Sequence, residues 1–422
     1  MTAEVAILNK SAVALAADSK VSIGGSRPQK TYDSQNKIFT LSKIHPVGIM
    51  IYNNADFMSY PWETIIKQYR KQKADRNERT AEAWADNFVR YLRSFGNIRA
   101  GHIRENVIGV LYSTFDQIEI DASYYAVKEN IQIGTPAYNA RLLELVEDRI
   151  QQFGASGFHF TRAASLRILN TYSDQILEAV ARFVPSAANR KLIDASVDLG
   201  ALALISKEFS PISSGFVIAG FGEQEVFPSL IEFETDGYIG RQIKLKRIDT
   251  VNITREGTDA AVRAFAQRDI VYRFMEGIAP EYAIYLQGLF LTELVQTNLR
   301  TFDRWAPRRR RTPAARRAVE RGAIRQFEII LERSRKYRED EYWYPTVGMV
   351  AVLPKDEMAH LAESMVELTA LHRRASTELE TVGGDIDVAI ISKGDGFIWY
   401  KRKHYFDLAF NRQFELNYMR DV

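Results

Sequence analysis

Thr2 stands directly behind Met1, and a small residue in second place lets the initiator methionine be removed, leaving a hydroxyl and a primary amine on one residue. That pairing is a self-sufficient nucleophile: the amine can take the hydroxyl proton, and the oxygen can then attack a carbonyl carbon. An α-amine has an ordinary pKa of roughly 7.7 to 8.0, close enough to working pH to serve as base without the shift a lysine would need. Other covalent chemistry has less to draw on. The chain has no cysteine, which excludes disulfides, thiolate-bound zinc, iron–sulfur clusters and a cysteine nucleophile. Its six histidines, at 45, 102, 159, 360, 372 and 404, show no ligand spacing, so no metal is expected. Gly24-Gly25 and Gly383-Gly384 lack the lysine and spacing of a phosphate loop, so neither nucleotide nor other cofactor is expected.

The segments that must position Thr2 follow at once. Val5 to Leu8 and Ala12 to Ala17 are apolar runs separated by Asn9-Lys10-Ser11, the pattern of two buried strands joined by a tight turn. Asp18 closes the second run and, taken alone, suits a strand-end turn; Lys20, Val21 and Ser22 form a polar edge after it. A glycine-rich loop leads to a strand from Lys37 to Leu41, whose first residue, taken alone, is an exposed strand-start lysine. A fourth strand, Val47 to Tyr52, ends in Asn53-Asn54-Ala55-Asp56 and feeds a helix from about Phe57 to Tyr69 with Trp62, Ile65 and Ile66 as its apolar stripe. Far downstream come strands at Phe216 to Gly222 and Leu230 to Phe233, then an amphipathic helix from Pro354 to about Leu371. The last block is Gly383-Gly384, a strand to Ile391, a turn through Lys393-Gly394-Asp395-Gly396, and Phe397 to Tyr400.

An N-terminal Thr, a strand, Ala-Ala-Asp, Lys-Ile-Phe, a strand leading into Ala-Asp, and a late Gly-Gly strand form one ordered series. It resembles the catalytic β-subunits of the proteasome and their bacterial relatives, within the N-terminal-nucleophile (Ntn) hydrolases. The resemblance implies an α+β fold, a four-layer αββα sandwich of two antiparallel sheets covered by helices on both sides, with two large helical insertions. It implies that Thr2 is the nucleophile, that Lys37 makes its surroundings electropositive, and that Asp18 supports the lysine. The implied activity is that of a threonine-type peptidase, hydrolysing peptide bonds through an acyl-enzyme. The alternatives are a catalytically silent scaffold subunit, and an amidohydrolase acting on a non-peptide amide.

Where the family carries a glycine-bearing turn that presents an oxyanion donor, this chain has Tyr52-Asn53-Asn54. A backbone N–H or a side-chain amide of Asn53 or Asn54 can serve, since Asn tolerates left-handed backbone. Tyr52 would narrow or cap the substrate pocket, with Met50 near its floor and Lys20, Val21 and Ser22 also lining it. The family's Asp and Ser helpers before the Gly-Gly fall at Leu379 and Val382, with Glu380 or Glu378 as a carboxylate from a shifted register. Its helper serine at a helix start falls near Glu256.

The family's module needs about 200 residues, a size ordinary for one larger domain, and this chain has 422. The expected division is 1–73 for the first half of the core, 74–210 for a helical insertion, 211–277 for core strands and helix, 278–344 for a basic helical insertion, and 345–422 for the second half of the core. Within the first insertion, helices are expected at Leu142 to Phe153, Ala163 to Phe183 and Leu192 to Ile205. The second contains Arg308 to Arg311, Arg316 and Arg317, a solvated basic face, a contact for an RNA or DNA backbone, or a dock for an acidic partner or substrate. With Trp305 as the one aromatic close by, and a net charge of only +3, sequence-specific nucleic-acid binding is not expected. No apolar run reaches a membrane span, so the chain reads as cytoplasmic; the resemblance implies peptide or protein substrates and a homo-oligomeric state.

Overall fold

The computed structural model describes residues 2–23, 30–73, 77–185, 190–376, 382–404, 406–413 and 416. The chain opens with β1 (Ala3–Asn9), β2 (Ala12–Ala17), a short pair β3 (Val21–Ile23) and β4 (Lys30–Tyr32), then β5 (Ile38–Thr40) and β6 (Val47–Asn53). A two-residue pair, β7 (Asp56–Phe57) and β8 (Tyr60–Pro61), precedes α1 (Trp62–Gln72) and α2 (Ala81–Arg93). Next come α3 (Ala100–Glu129), α4 (Pro136–Ser156), α5 (Arg162–Phe183) and α6 (Arg190–Ile205), then β9 (Ser214–Gly220), β10 (Ser229–Ile239), β11 (Gln242–Asn252) and β12 (Ala260–Ala266). Helices α7 (Asp269–Glu276), α8 (Pro280–Trp305), α9 (Pro313–Arg338), α10 (Tyr344–Val350) and α11 (Lys355–Ala375) follow, and β13 (Asp387–Ser392) and β14 (Gly396–Lys401) complete the core.

The fold is α+β with antiparallel sheets. One five-stranded sheet runs β12-β1-β2-β13-β14, the other β11-β10-β9-β6-β5. In β1 and β2 every residue is buried, because successive side chains point to opposite faces and both faces are covered. Val5, Ile7, Ala14 and Ala16 pack with Met358, Met365 and Val366 of α11. Ala6, Leu8, Leu15 and Ala17 pack with Met50, Tyr52 and Val217 of the other sheet. On that sheet's far face, Ile49, Phe216, Ile218 and Phe233 meet Trp62, Ile66, Trp84 and Phe88 of α1 and α2. The layer order is therefore helix, sheet, sheet, helix.

Local chemistry explains the joints. The β1–β2 turn closes on Asn9, whose Oδ1 accepts from Ser11 N at 2.9 Å, Ser11 Oγ at 2.7 Å and Ala12 N at 3.2 Å. Its amide donates onward to the carbonyls of Val350 and Leu353, tying the turn to the end of α10. The helix expected from about Phe57 begins five residues later, because Met58 and Ser59 take left-handed backbone between β7 and β8 and Pro61 caps α1. No helix starts near Glu256, which lies exposed in the turn between β11 and β12; the helix of this region is α7.

The bundle of α3 to α6 has its own core around Leu111, Phe115, Leu142, Ile168 and Leu199 and meets the sheet at Ile239. Helix α2, placed by sequence in this insertion, instead packs on the core sheet. Helices α8 and α9 form a hairpin; α8 buries none of its residues, and Arg308–Arg310 make an exposed 3₁₀ turn at the tip. There Arg316 pairs with Asp303 at 2.6 Å. Among the described residues no helix is long and apolar enough to cross a membrane.

Candidate functional site

Thr2, Glu4, Asp18 and Lys37 meet where the two sheets face each other, all 1 to 4% exposed. The hairpin register explains half of this: Glu4 pairs with Ala17, so Asp18, one residue past the strand, lies beside Ala3. Ala3 N donates to Asp18 Oδ1 at 3.0 Å, and Asp18 N donates back to Ala3 O at 3.2 Å. Lys37 comes from the opposite sheet, where its carbonyl accepts from Ile51 N at 2.9 Å, and its ammonium reaches across to Asp18.

Asp18 has both oxygens engaged. Oδ1 accepts from Lys37 and Ala3, and Oδ2 accepts from Gly383 N at 3.0 Å and Lys20 N at 3.3 Å. The Gly383-Gly384 turn is thus part of the site. Gly384 has φ +72°, and a Cβ there would lie 2.6 Å from Ser19 Oγ, so the close approach requires glycine. Ser19 holds the same turn by donating from N to Gly383 O at 3.3 Å and from Oγ to Asp385 O at 2.7 Å.

Glu4 is the member that sequence did not single out. β1 runs between β12 and β2, and Glu4 shares the inward face of Ala6 and Leu8, with Phe265 as its register neighbour on β12. The Thr2 hydroxyl donates to Glu4 Oε2 at 3.1 Å, and Glu4 Oε1 faces Lys37 Nζ at 3.3 Å. Burial raises the Glu4 carboxyl strongly; Lys37 opposes this, Asp18 adds to it, and the Thr2 hydrogen bond lowers it again, leaving it at about 7. The available signal was a single charge in an otherwise apolar strand, two residues from Thr2.

At the end of β6, Asn53 has φ 63°, and this left-handed residue aims its backbone N–H at Thr2 Oγ1, 3.3 Å away. Asn54 turns the other way: its amide donates to Ile212 O at 3.1 Å and its Oδ1 accepts from Asp56 N at 3.0 Å. Of the two asparagines, Asn53 is the one whose backbone reaches the hydroxyl.

Tyr52 lies in the core between the sheets, where the pocket expectation had it as a cap. Its ring stacks on Phe265 and lies over Gly215, where a Cβ would sit 1.9 Å from Tyr52 Cζ. Its hydroxyl donates to Glu232 Oε1 at 2.7 Å, which Arg268 also contacts at 2.8 Å; burial first, then Glu232, holds the phenol well above its ordinary pKa. Met50, fully buried, shares that core. Lys20 is buried with its Nζ 3.9 Å from Asp33, and Val21 and Ser22 lie in β3 opposite Tyr32 and Thr31. Val382 is buried against the α11 side of the first sheet. Glu378, Leu379 and Glu380 lie outside the described residues.

Gln267 N donates to Thr2 O at 3.2 Å, and the Gln267 side chain accepts from Arg373 at 2.7 Å, linking the start of β1 to α11. A cleft of about 220 Å³ opens beside Asn54, lined by Asp56, Asn106, Ser214 and Asp236. The arrangement offers a hydroxyl hydrogen-bonded to the Glu4 carboxyl, an ammonium 3.3 Å from that carboxyl, and a backbone donor on the hydroxyl oxygen. No protein-family model matches this chain, and no curated protein matches its sequence.

Proposed function

We propose that the protein is a proteasome-like Ntn hydrolase that cleaves amide bonds, in the first instance of peptides, by attack of the Thr2 hydroxyl after removal of Met1. The observation that carries the reading is the convergence on one oxygen: Thr2 Oγ1 receives the Asn53 N–H at 3.3 Å and lies in a buried cluster held by the Lys37–Asp18 pair. A nucleophilic alkoxide is costly in a dry site unless a cation stands close, and Lys37 supplies that charge while Asp18 offsets its burial. The Asn53 N–H meets Thr2 Oγ1 itself, where it stabilises the negative charge that develops as that oxygen gives up its proton. The two facing sheets, helices on both outer faces and the place of Thr2 between them agree with an αββα Ntn sandwich interrupted by α3–α6 and α8–α9.

The test is intact mass with an electrophile selective for N-terminal threonines. The processed protein is expected to lack Met1 and to gain one adduct at Thr2, and Thr2→Ala is expected to gain none. A retained Met1, or an adduct that survives Thr2→Ala, removes the reading. A second reading, a silent scaffold subunit, is favoured by the burial of Thr2, 4% exposed; unlabelled wild-type protein would support it. Either reading carries a homo-oligomer, which a monomeric mass by light scattering at micromolar concentration would refute.

A further inference from the structure

Asp18 and Glu4 face the same ammonium with different partners. Among the described residues every hydrogen-bond partner of Asp18 is a donor: Lys37, Ala3 N, Gly383 N and Lys20 N. It serves as the counter-charge of Lys37. Glu4 holds the Thr2 hydroxyl on Oε2, while Oε1 has no hydrogen-bond partner among the described residues and only the Lys37 charge before it. With the Thr2 amine neutral, one ammonium between two carboxylates leaves one negative charge unbalanced, in side chains at most 4% exposed. A buried unbalanced charge is costly, and a proton cancels it.

We propose that Glu4 is the general base of the site, taking the Thr2 hydroxyl proton on Oε2 in place of the Thr2 amine. The inference rests on Thr2 being the nucleophile. In acylation the Thr2 O–H bond breaks, its proton passes to Glu4, and Oγ1 bonds the carbonyl carbon of the amide. Glu4 then returns that proton to the amide nitrogen as the C–N bond breaks and the amine leaves. In deacylation Glu4 takes a proton from water, the hydroxide adds to the ester carbon, and Oγ1 leaves with the proton from Glu4. The cluster alternates between one net negative charge and none, and Lys37 stays paired with Asp18 throughout. Among the described residues the charged groups facing Glu4 are Lys37, ahead of β5, and Asp18, after β2; from β12 it meets the uncharged Phe265, and the Thr2 amine freed with Met1 is the remaining titratable group of the site. With burial raising its carboxyl to about 7, Glu4 can accept and release a proton near neutrality.

The test is acylation of Thr2 by a β-lactone in the Met1-processed protein, followed by intact mass across pH for wild type, Glu4→Gln and Glu4→Asp. The wild-type rate is expected to rise through an inflection near neutral pH. Glu4→Gln keeps the shape of the side chain and is expected to lower the rate roughly 10²- to 10⁴-fold and to lose the inflection. Glu4→Gln acylated at the wild-type rate, with the wild-type inflection, overturns the proposal and leaves Thr2 as nucleophile. Wild type that is not acylated at Thr2 overturns both. Should Glu4→Gln fail to fold by circular dichroism, Glu4→Asp decides: an inflection displaced from that of wild type supports Glu4 as base, and one that coincides with it overturns the proposal.

Discussion

Among the described residues Lys37 and Lys244 are each buried against fully buried carboxylates, and of the two Lys37 belongs to the Thr2 cluster. Lys244, on β11, is fully buried, pairs with Asp236 of β10 at 2.9 Å and donates to Ala203 O of α6 at 2.8 Å. Asp236 accepts from Ser210 Oγ at 2.7 Å and Ser210 N at 3.1 Å. One cation meets one anion, donors engage the carboxylate, and the cluster pins the α3–α6 bundle to its sheet. Lys37 differs in stoichiometry, facing two carboxylates, one of which holds the Thr2 hydroxyl. A buried ion pair is therefore not in itself a mark of chemistry; under the proposed function, the unbalanced charge beside the Thr2 hydroxyl is.

The sharpest way to break this contrast is to remove each cation. Lys37→Met is expected to reduce β-lactone acylation of Thr2 below detection and to lower the unfolding free energy by about 3–5 kcal/mol. Lys244→Met is expected to cost a similar 3–5 kcal/mol in urea unfolding, because Asp236 is left buried and unpaired, while the folded fraction is acylated at the wild-type rate. Slowed acylation in folded Lys244→Met would erase the distinction.

The next effect is the pH dependence of stability. Glu4 is raised from an ordinary 4.5 to about 7 in the folded protein, so the native state holds its proton more tightly than the unfolded chain. The resulting stabilisation is full below about pH 4.5 and is lost as pH rises through 7, roughly 3 kcal/mol in all. Subtracting the urea-derived stability of Glu4→Gln from that of wild type should isolate this slope; a flat difference between pH 4.5 and 8 would contradict it. The smallest contrast is between hydroxyls. Ser210→Ala should cost roughly 1.5–3 kcal/mol, the range for a hydrogen bond to a charged group, without changing acylation of the folded protein. Thr2→Ala should change stability by less, about 1 kcal/mol at most, while abolishing acylation, since it also frees a carboxylate that burial already favours as the neutral acid.

Much of the Thr2 neighbourhood was legible because it is local. The Asn9 turn, the Ala-Ala-Asp strand end and the Lys-Ile-Phe strand start depend on residues next to one another, and the hairpin register then carries Asp18 to Ala3. Glu4 escaped because its burial is decided by β12 and by the opposite sheet, neither near it in sequence. Tyr52 escaped for a similar reason: its place depends on a missing Cβ at Gly215, on the strand beside it. The choice of Asn53 over Asn54 turns on one left-handed φ, which composition permits at both positions. Helix α2 has the amphipathic pattern of its inserted neighbours, and only packing assigns it to the core.

The donor that Gly383 gives to Asp18 joins residues 365 positions apart. A ribosome adding about 5 to 20 residues per second needs roughly 20 to 70 seconds to cover that stretch. Throughout that interval the Thr2 hairpin can exist while the carboxylate behind Lys37 lacks its last donor. Under the proposed function a nascent chain therefore carries the nucleophile long before it carries the finished site, and translation itself delays the onset of reactivity until Gly383 has emerged.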